Sequence, residues 1–330
     1  MVSKLTPSKV LNALNVLGSY YWSRITQQTR HTGLPISLSI EPTTACNLRC
    51  PECPSGLRSF SRNTGKMSIE LLDKILREVK AHCTYINFYF QGEPYLHPQF
   101  LHMVKLCHDH GIYSATSTNA HFLNSEKAKA TVESGLDRLI ISIDGADQNT
   151  YESYRKEGDL SKVIKGTKNV LYWKKKLKSS TPHIIFQFLV VKPNEHQINE
   201  VKLIGDELGV DEVKLKTAQI YDFEDGNDLI PTIDKYSRYQ MEQNGKWSIK
   251  NPLDNHCWRM WSGAVITWDG KVVPCCFDKD AQHSMGDLHS HSFTEIWNND
   301  QYKDFRASIL KSRSEVEMCK NCSEGTQVWG

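Results

Sequence analysis

Three thiols set the chemistry to look for. Cys46, Cys50 and Cys53 stand in the run Cys-Asn-Leu-Arg-Cys-Pro-Glu-Cys, separated by three and then two residues. They follow an alternating stretch, Ile36-Ser-Leu-Ser-Ile40, which reads as a strand ended by Glu41-Pro42. The thiols therefore leave a strand end on one short loop, close enough together to face one small object. Three cysteinates fall short of the four ligands of a closed zinc site. They suffice for three irons of a [4Fe–4S] cubane, whose fourth iron stays open to a ligand that is not protein. A zinc site completed by a distant ligand, or buried thiols without metal, are the alternatives that the triplet alone leaves standing.

A second constellation lies near the C-terminus. Cys257 is followed by twelve residues, Gly270, four more residues and Cys275, and later by Cys319 and Cys322. Ala264–Val273 reads as a β-hairpin turning at Asp269-Gly270, which would carry Cys275 back alongside Cys257. A helix from Phe293 to about Ile309 then leads to the Cys-x2-Cys knuckle. Four thiols on two paired elements can close a tetrahedral site, and taken alone they suit zinc as well as iron–sulfur. Cys276 reads as a spare thiol able to exchange with Cys275, and Cys83 and Cys107, near helix ends, read as core thiols.

The elements that must position these thiols alternate between two periods. Ile36–Ile40, Tyr85–Phe90, Tyr113–Thr118, Leu139–Ile143, Ile184–Val191 and Glu212–Lys216 read as six strands. Amphipathic stretches such as 69–79 and 199–208 lie between them, and Gly111, Gly135 and Gly209 sit where helices should stop. Repeated strand–helix units argue for parallel strands with right-handed crossovers. The fold class is α/β, a partial (β/α)6 TIM-like barrel with a small C-terminal β-hairpin and helix domain. Ligands of such sheets bind at the C-terminal strand ends. Gln187 and Lys216 could point into the barrel. Residues from about 219 to 255, rich in Asp, Asn, Gly and Pro with a short helical piece, read as a connection.

Ahead of the barrel, Val10, Leu14, Leu17 and Tyr21 follow a helical period. The plainer expectation is that this helix packs on the main domain; an amphipathic contact with a membrane surface or a lipid-like substrate is the sharper one. The basic run Lys174–Lys178 reads as a solvated helix end.

Composition narrows the function classes. The chain of 330 residues has a formal charge of +2, which gives no case for nucleic acid as partner. No run approaches a membrane span and no secretory signal is visible, so a cytoplasmic protein is expected. In a reducing compartment, ten cysteines read as metal or redox ligands before disulfides.

The spacing Cys-x3-Cys-x2-Cys resembles the signature of the radical S-adenosylmethionine (SAM) superfamily. The resemblance implies Cys46, Cys50 and Cys53 as ligands of a [4Fe–4S] cluster whose open iron chelates SAM. Reductive cleavage of SAM would yield a 5′-deoxyadenosyl radical that takes hydrogen from a substrate. Gln91-Gly92-Glu93-Pro94 is similar to the family's Gly-Gly-Glu-Pro motif, with Gln91 in place of the first glycine, and implies Gly92 and Glu93 at the SAM amino group. Asn119, in Ser-Thr-Asn, and Ser142 and Asp144, in Ser-Ile-Asp-Gly, match strand-end positions that contact SAM in relatives, and Arg155 matches an arginine that binds its ribose or carboxylate. Helix capping by Ser142 and Asp144, and a surface ion pair for Arg155, are the plain alternatives. Glu52 stands where the family usually has an aromatic residue against the adenine.

Cys257, Cys275, Cys319 and Cys322, with Met285–Leu288 and Glu295–Asn298, resemble the SPASM/twitch branch of that superfamily. The absence of further cysteines after Cys322 implies the twitch form, with one auxiliary [4Fe–4S] cluster. The domains expected are a helical segment over 1–33, the barrel over 34–220, a connection over 221–255 and the auxiliary domain over 256–330. A low-potential donor such as flavodoxin or ferredoxin is implied. The expected reaction is oxidation or epimerisation of a small-molecule or carbohydrate-like substrate, the auxiliary cluster accepting or relaying an electron. Only one helix, too short for a leader-binding domain, precedes the barrel, which weighs against a peptide-modifying maturase; a non-catalytic metal-binding scaffold is the contrasting class.

Overall fold

The computed structural model describes residues 4–326 and 328. The expected segments 1–33 and 256–330 therefore begin and end in residues outside the described ones. The chain enters through helix α1 (Pro7–Thr26), then β1 (Ser37–Ile40), a short α2 (Pro54–Leu57) within the cysteine loop, and α3 (Ile69–Val79). Helix α3 shows why these segments fold as they do. Ser68 caps it, its Oγ accepting from the Leu71 amide at 3.1 Å, and Leu71, Leu72, Ile75, Leu76 and Val79 make one buried face.

Strand β2 (Tyr85–Asn87), α4 (Phe100–Asp109), β3 (Tyr113–Thr118), α5 (Ser125–Glu133) and β4 (Arg138–Ser142) continue the alternation. It runs on through α6 (Gln148–Tyr154), α7 (Leu160–Lys176), β5 (His183–Val190), α8 (Ile198–Leu208) and β6 (Glu212–Thr217). Strands β1 to β6 pair in sequence order, each pair parallel. Strand β2 is shorter than the run to Phe90 suggests. Its last ladder bond comes from Phe88, whose amide donates to Ala115 at 2.8 Å before the chain turns off toward Gly92. One parity of the strands, with Leu38, Ile86, Ile141 and Phe186, packs under the helices. The other parity brings Ser37, Ser39, Tyr85, Asn87 and Lys216 onto an internal cavity. Gln187 lies beside Lys214, two residues before Lys216, and so shares that face.

The connection departs from expectation. Its helical content is one turn, Asp234–Tyr236, and the rest holds a hairpin of β7 (Tyr239–Met241) and β8 (Trp247–Ile249). Asn244-Gly245, with Gly245 at φ +80°, supplies the turn.

The C-terminal hairpin is part of the barrel sheet. After α9 (Arg259–Ser262), β9 (Gly263–Ile266) pairs in parallel with β1, Leu38 opposite Ala264. Strand β10 (Lys271–Val273) folds back on β9 and β11 (Gly286–Asp287) on β10, completing nine strands. The edge of β1 is thereby paired. The single helix expected after Phe293 is two, α10 (Phe293–Asn298) and α11 (Asp300–Ser312). Asn299 between them is extended (ψ 167°), and its side chain caps α11 by accepting from the Tyr302 amide at 2.8 Å.

Helix α1 packs on the main body, as expected. Of its periodic apolar residues, only Leu17 packs against that body, half-buried. The buried residues are Lys9, Asn12, Val16, Ser19, Tyr20 and Ser23, while Val10, Leu14 and Tyr21 are exposed. Val16 and Tyr20 pack there with Trp258 and Trp261, and polar bonds add to that contact. Lys9 Nζ donates to Gly111 O at 2.7 Å, and the Asn12 amide both gives to and takes from the Leu34 backbone at 2.8 Å. The Tyr20 hydroxyl meets His256 Nδ1 at 2.9 Å. No helix among the described residues is long and apolar enough to cross a membrane.

Candidate active site and metal centres

The cysteine loop is clamped onto the turn after β2. The Glu93 amide donates to Ala45 O at 2.7 Å and the Gly92 amide to Ser55 Oγ at 2.8 Å. Gly92 has φ +76°, and a Cβ there would stand 2.2 Å from Thr43 O. A Cβ on Gly56 would stand 2.6 Å from the Cys50 amide nitrogen. Only glycine lets the two backbones approach this closely. Cys46, Cys50 and Cys53 lie within electrostatic reach of one another, and the Leu48 amide points at Cys46 Sγ at 3.5 Å. Burial pushes the Cys46 thiol up to about 12 and raises Cys50 too. Such thiols ionise only beside strong positive charge, which iron supplies. The donor set thus fits a cluster. Among the described residues no three Cys, His, Asp or Glu side chains close on a single ion. Cubane ligands sit on separate corner irons, so a cluster asks for a wider spacing than a one-ion cage.

The strand-end residues converge on this loop. Glu93 is buried, and its carboxylate accepts from the Thr118 hydroxyl at 2.7 Å, the Asn119 amide at 2.8 Å and the Tyr95 amide at 3.2 Å. Glu93 is therefore a brace between the ends of β2 and β3. Burial still raises its pKa, against those three donors. Asn119 reaches Asn47 of the cysteine loop at 2.8 Å.

Asp144 is fully buried and pairs with Arg155 Nε, while its other oxygen accepts from the Leu189 amide at 2.7 Å. Neither plain alternative holds for this pair. Helix α6 is capped by Asp147, and the ion pair is largely buried. Arg155 Nη1 in turn lies 3.7 Å from Cys50 Sγ. Burial opposes the guanidinium charge, yet Asp144 and Cys50 raise its pKa well above the ordinary value. Ser142 ends β4, buried, beside Gln187 of β5. Glu52 accepts from the Tyr221 amide at 2.9 Å, tying the loop to the chain after β6. Asn47, Ser55 and Asn194, whose amide holds Asp144 O at 3.0 Å, escaped sequence reading, because lone polar residues carry no spacing signal.

The second constellation assembles around Arg313. Its Nη2 lies 3.2 Å from Cys322 Sγ and 2.6 Å from Glu324 O, and Nη1 donates to His256 O at 3.2 Å. Cys257, Cys319 and Cys322 sit within electrostatic reach of one another, and Cys275 of Cys257. Gly325 passes so close that a Cβ would stand 2.5 Å from Cys257 Sγ. Burial raises Cys257 and Cys322 and pushes Cys319 up to about 12, so these thiols also fit a cationic centre. Cys276 lies beside Cys275 on the same cavity wall. Cys83 and Cys107 are fully buried in the barrel core, as expected.

A bidentate pair joins the two regions. Arg62 donates to the buried Glu41 carboxylate at 2.6 and 2.8 Å, and to Lys279 O at 3.1 Å. Glu41 also accepts from the Trp268 amide of the β9–β10 turn at 3.2 Å. Between the barrel and the C-terminal elements lies a cavity of about 740 Å³. Ser39, Asn87 and Lys216 form its barrel wall; Arg259, Cys275 and Glu324 form the other. Arg259 and Glu324 are ion-paired, and Tyr89, beyond β2, lies within electrostatic reach of both.

Comparison with known proteins agrees with this geometry. Residues 40–178 match the radical SAM superfamily, and residues 257–323 match SPASM, an iron–sulfur cluster-binding domain. The chain is 27% identical over 320 residues to the tungsten-containing aldehyde ferredoxin oxidoreductase cofactor-modifying protein of Pyrococcus furiosus, covering 87% of this chain and 86% of that one. Among solved structures, SuiB of Streptococcus suis bound to S-adenosylmethionine superposes with a TM-score of 0.65 at 14% identity, over 94% of this chain and 77% of that one. BtrN in complex with AdoMet and 2-DOIA gives 0.54 at 17% identity, over 89% of this chain and 95% of that one.

Proposed function

Since the chain belongs to the radical SAM superfamily and carries a SPASM domain, we propose that it takes a hydrogen atom from a small polar, carbohydrate-like substrate held between barrel and auxiliary domain. Membership brings a [4Fe–4S] cluster, SAM and auxiliary iron–sulfur with it. When bound, these supply the 5′-deoxyadenosyl radical and an electron acceptor or relay, fed by a low-potential donor of the flavodoxin or ferredoxin kind. The observation that carries the substrate class is the set of polar groups in the mixed lining of the cavity against Cys275. Hydroxyl, amide, ammonium and guanidinium groups converge there, and such a set suits a hydroxylated or amino-substituted ring. The named cofactor-modifying activity of the Pyrococcus relative is compatible with a small-molecule substrate.

In this reading Cys46, Cys50 and Cys53 hold the first cluster, and Cys257, Cys275, Cys319 and Cys322 one auxiliary cluster. The backbone at Gln91-Gly92 takes the SAM ammonium, with Glu93 fixing that turn. Arg155, aimed by Asp144, takes the carboxylate or ribose, and Asn119 and Ser142 border the cofactor. Lys216 and Asn87 orient the substrate. Net oxidation and epimerisation both remain outcomes of that arrangement.

The test is anaerobic reconstitution with SAM and a strong reductant, followed by an assay for 5′-deoxyadenosine beside a Cys50→Ala control. Product from wild type alone is expected, stimulated by aminocyclitols or sugars. Lys216→Met should raise the KM for the stimulating substrate while leaving uncoupled SAM cleavage unchanged. Absence of 5′-deoxyadenosine from iron-replete protein with every substrate tried would sink the reading. Stimulation by peptides alone would replace the small substrate with a peptide.

A further inference from the structure

Helix α1 turns much of its apolar surface outward. A surface helix ordinarily buries its apolar stripe and leaves the polar side in water. Here the inward residues include Lys9, Asn12, Ser19 and Ser23, each hydrogen-bonded to backbone. Outward lie Leu11, 60% exposed, Leu14, 59%, and Ile25, 80%, together with Val10, Tyr21 and Trp22. Leu5, just before the helix, is exposed as well. Seven of the fourteen large hydrophobic side chains exposed among the described residues therefore fall between positions 5 and 25. They form one patch, where chance would scatter them, and an apolar patch of that kind marks a contact surface.

Its shape and charge choose the occupant. At 100° per residue, Val10, Leu11, Leu14, Gly18, Tyr21, Trp22 and Ile25 span an arc of about 120°, wider than the narrow seam a helical partner reads. A helix of 20 residues is about 30 Å long, so the stripe is a flat ribbon. Residues 1–40 contain no Asp or Glu. The exposed charges beside the stripe are those of Arg24 and Arg30, and the Arg30 guanidinium sits 5.5 Å from the Trp22 ring centroid. Wide apolar arc, interfacial aromatics and a helix whose own charges are all cationic are the features of a helix lying in an anionic bilayer surface.

We propose that α1 is a monotopic membrane anchor, seating the enzyme on anionic lipid with Leu11, Leu14, Trp22 and Ile25 in the acyl boundary and Arg24 and Arg30 at the headgroups. The helix is fastened to the body by its other side, so the anchor needs no refolding to engage.

Flotation of the reconstituted full chain with vesicles of 70% phosphatidylcholine and 30% phosphatidylglycerol tests this. Wild type should float with those vesicles, and markedly less with pure phosphatidylcholine. Leu11→Glu/Leu14→Glu/Ile25→Glu should lower the bound fraction at least tenfold with an unchanged thermal melt, since all three side chains are exposed. Arg24→Gln/Arg30→Gln should lose the preference for phosphatidylglycerol and its salt sensitivity. Failure of wild type to float with either vesicle, or flotation of the triple variant equal to wild type, would overturn the proposal. So would a dimer by light scattering that the triple variant makes monomeric, because a second copy would then cover the stripe.

Discussion

The two cysteine constellations reach similar ends by different routes. The first takes three thiols from eight consecutive residues, Cys46 to Cys53, and shapes them by close backbone contact with the Gly92 turn. Its cation, Arg155, arrives from beyond β4 and is aimed by the buried Asp144. The second takes four thiols spread from Cys257 to Cys322, gathered by a hairpin, two helices and Arg313. A local loop fixes thiol spacing by covalent geometry, whereas a dispersed set depends on every element between its thiols. The first site is therefore robust to distant change, and the second is sensitive to it.

The sharpest way to break this comparison is to remove one thiol from each side. Cys46→Ala should reduce 5′-deoxyadenosine formation to background, while Cys319→Ala retains SAM cleavage but loses product formation from substrate. Equal loss of SAM cleavage in both would show that the sites are not separable. Next in size is Arg62→Ala, which leaves the buried Glu41 carboxylate without its partner and loosens both regions. Denaturation should show a loss of about 3–5 kcal/mol, and a loss below about 1 kcal/mol would deny the brace its role. Asp144→Asn should lower SAM-cleavage efficiency about 10–100-fold, the usual cost of losing a group that orients a functional side chain, with auxiliary iron content unchanged. The smallest effect should come from Asn299→Ala. It removes the cap of α11, costing about 1 kcal/mol, and should appear as weaker auxiliary iron retention ahead of any change at the first site.

Much of this was legible beforehand because it is written in local spacing. The cysteine triplet, the Gly92 turn, the Asp269-Gly270 hairpin and the strand–helix alternation each occupy a few consecutive residues with a fixed period. The α10–α11 break was missed because the Asn298-Asn299-Asp300 cap lies inside a continuous apolar period. The β7–β8 hairpin was missed because its strands are only three residues each.

By itself the sequence determined the thiols, their order and the barrel that carries them, because ligand spacing and hydrophobic period are properties of neighbours along the chain. The tertiary structure alone decided which face of α1 is buried, how Glu93 and Asp144 are partnered, and that β9 continues the barrel sheet at β1. Those outcomes depend on groups far apart in sequence. Lys9 meets Gly111 across 102 positions and Tyr20 meets His256 across 236, while Val16 and Tyr20 pack with Trp258 and Trp261, and no local apolar period encodes such contacts.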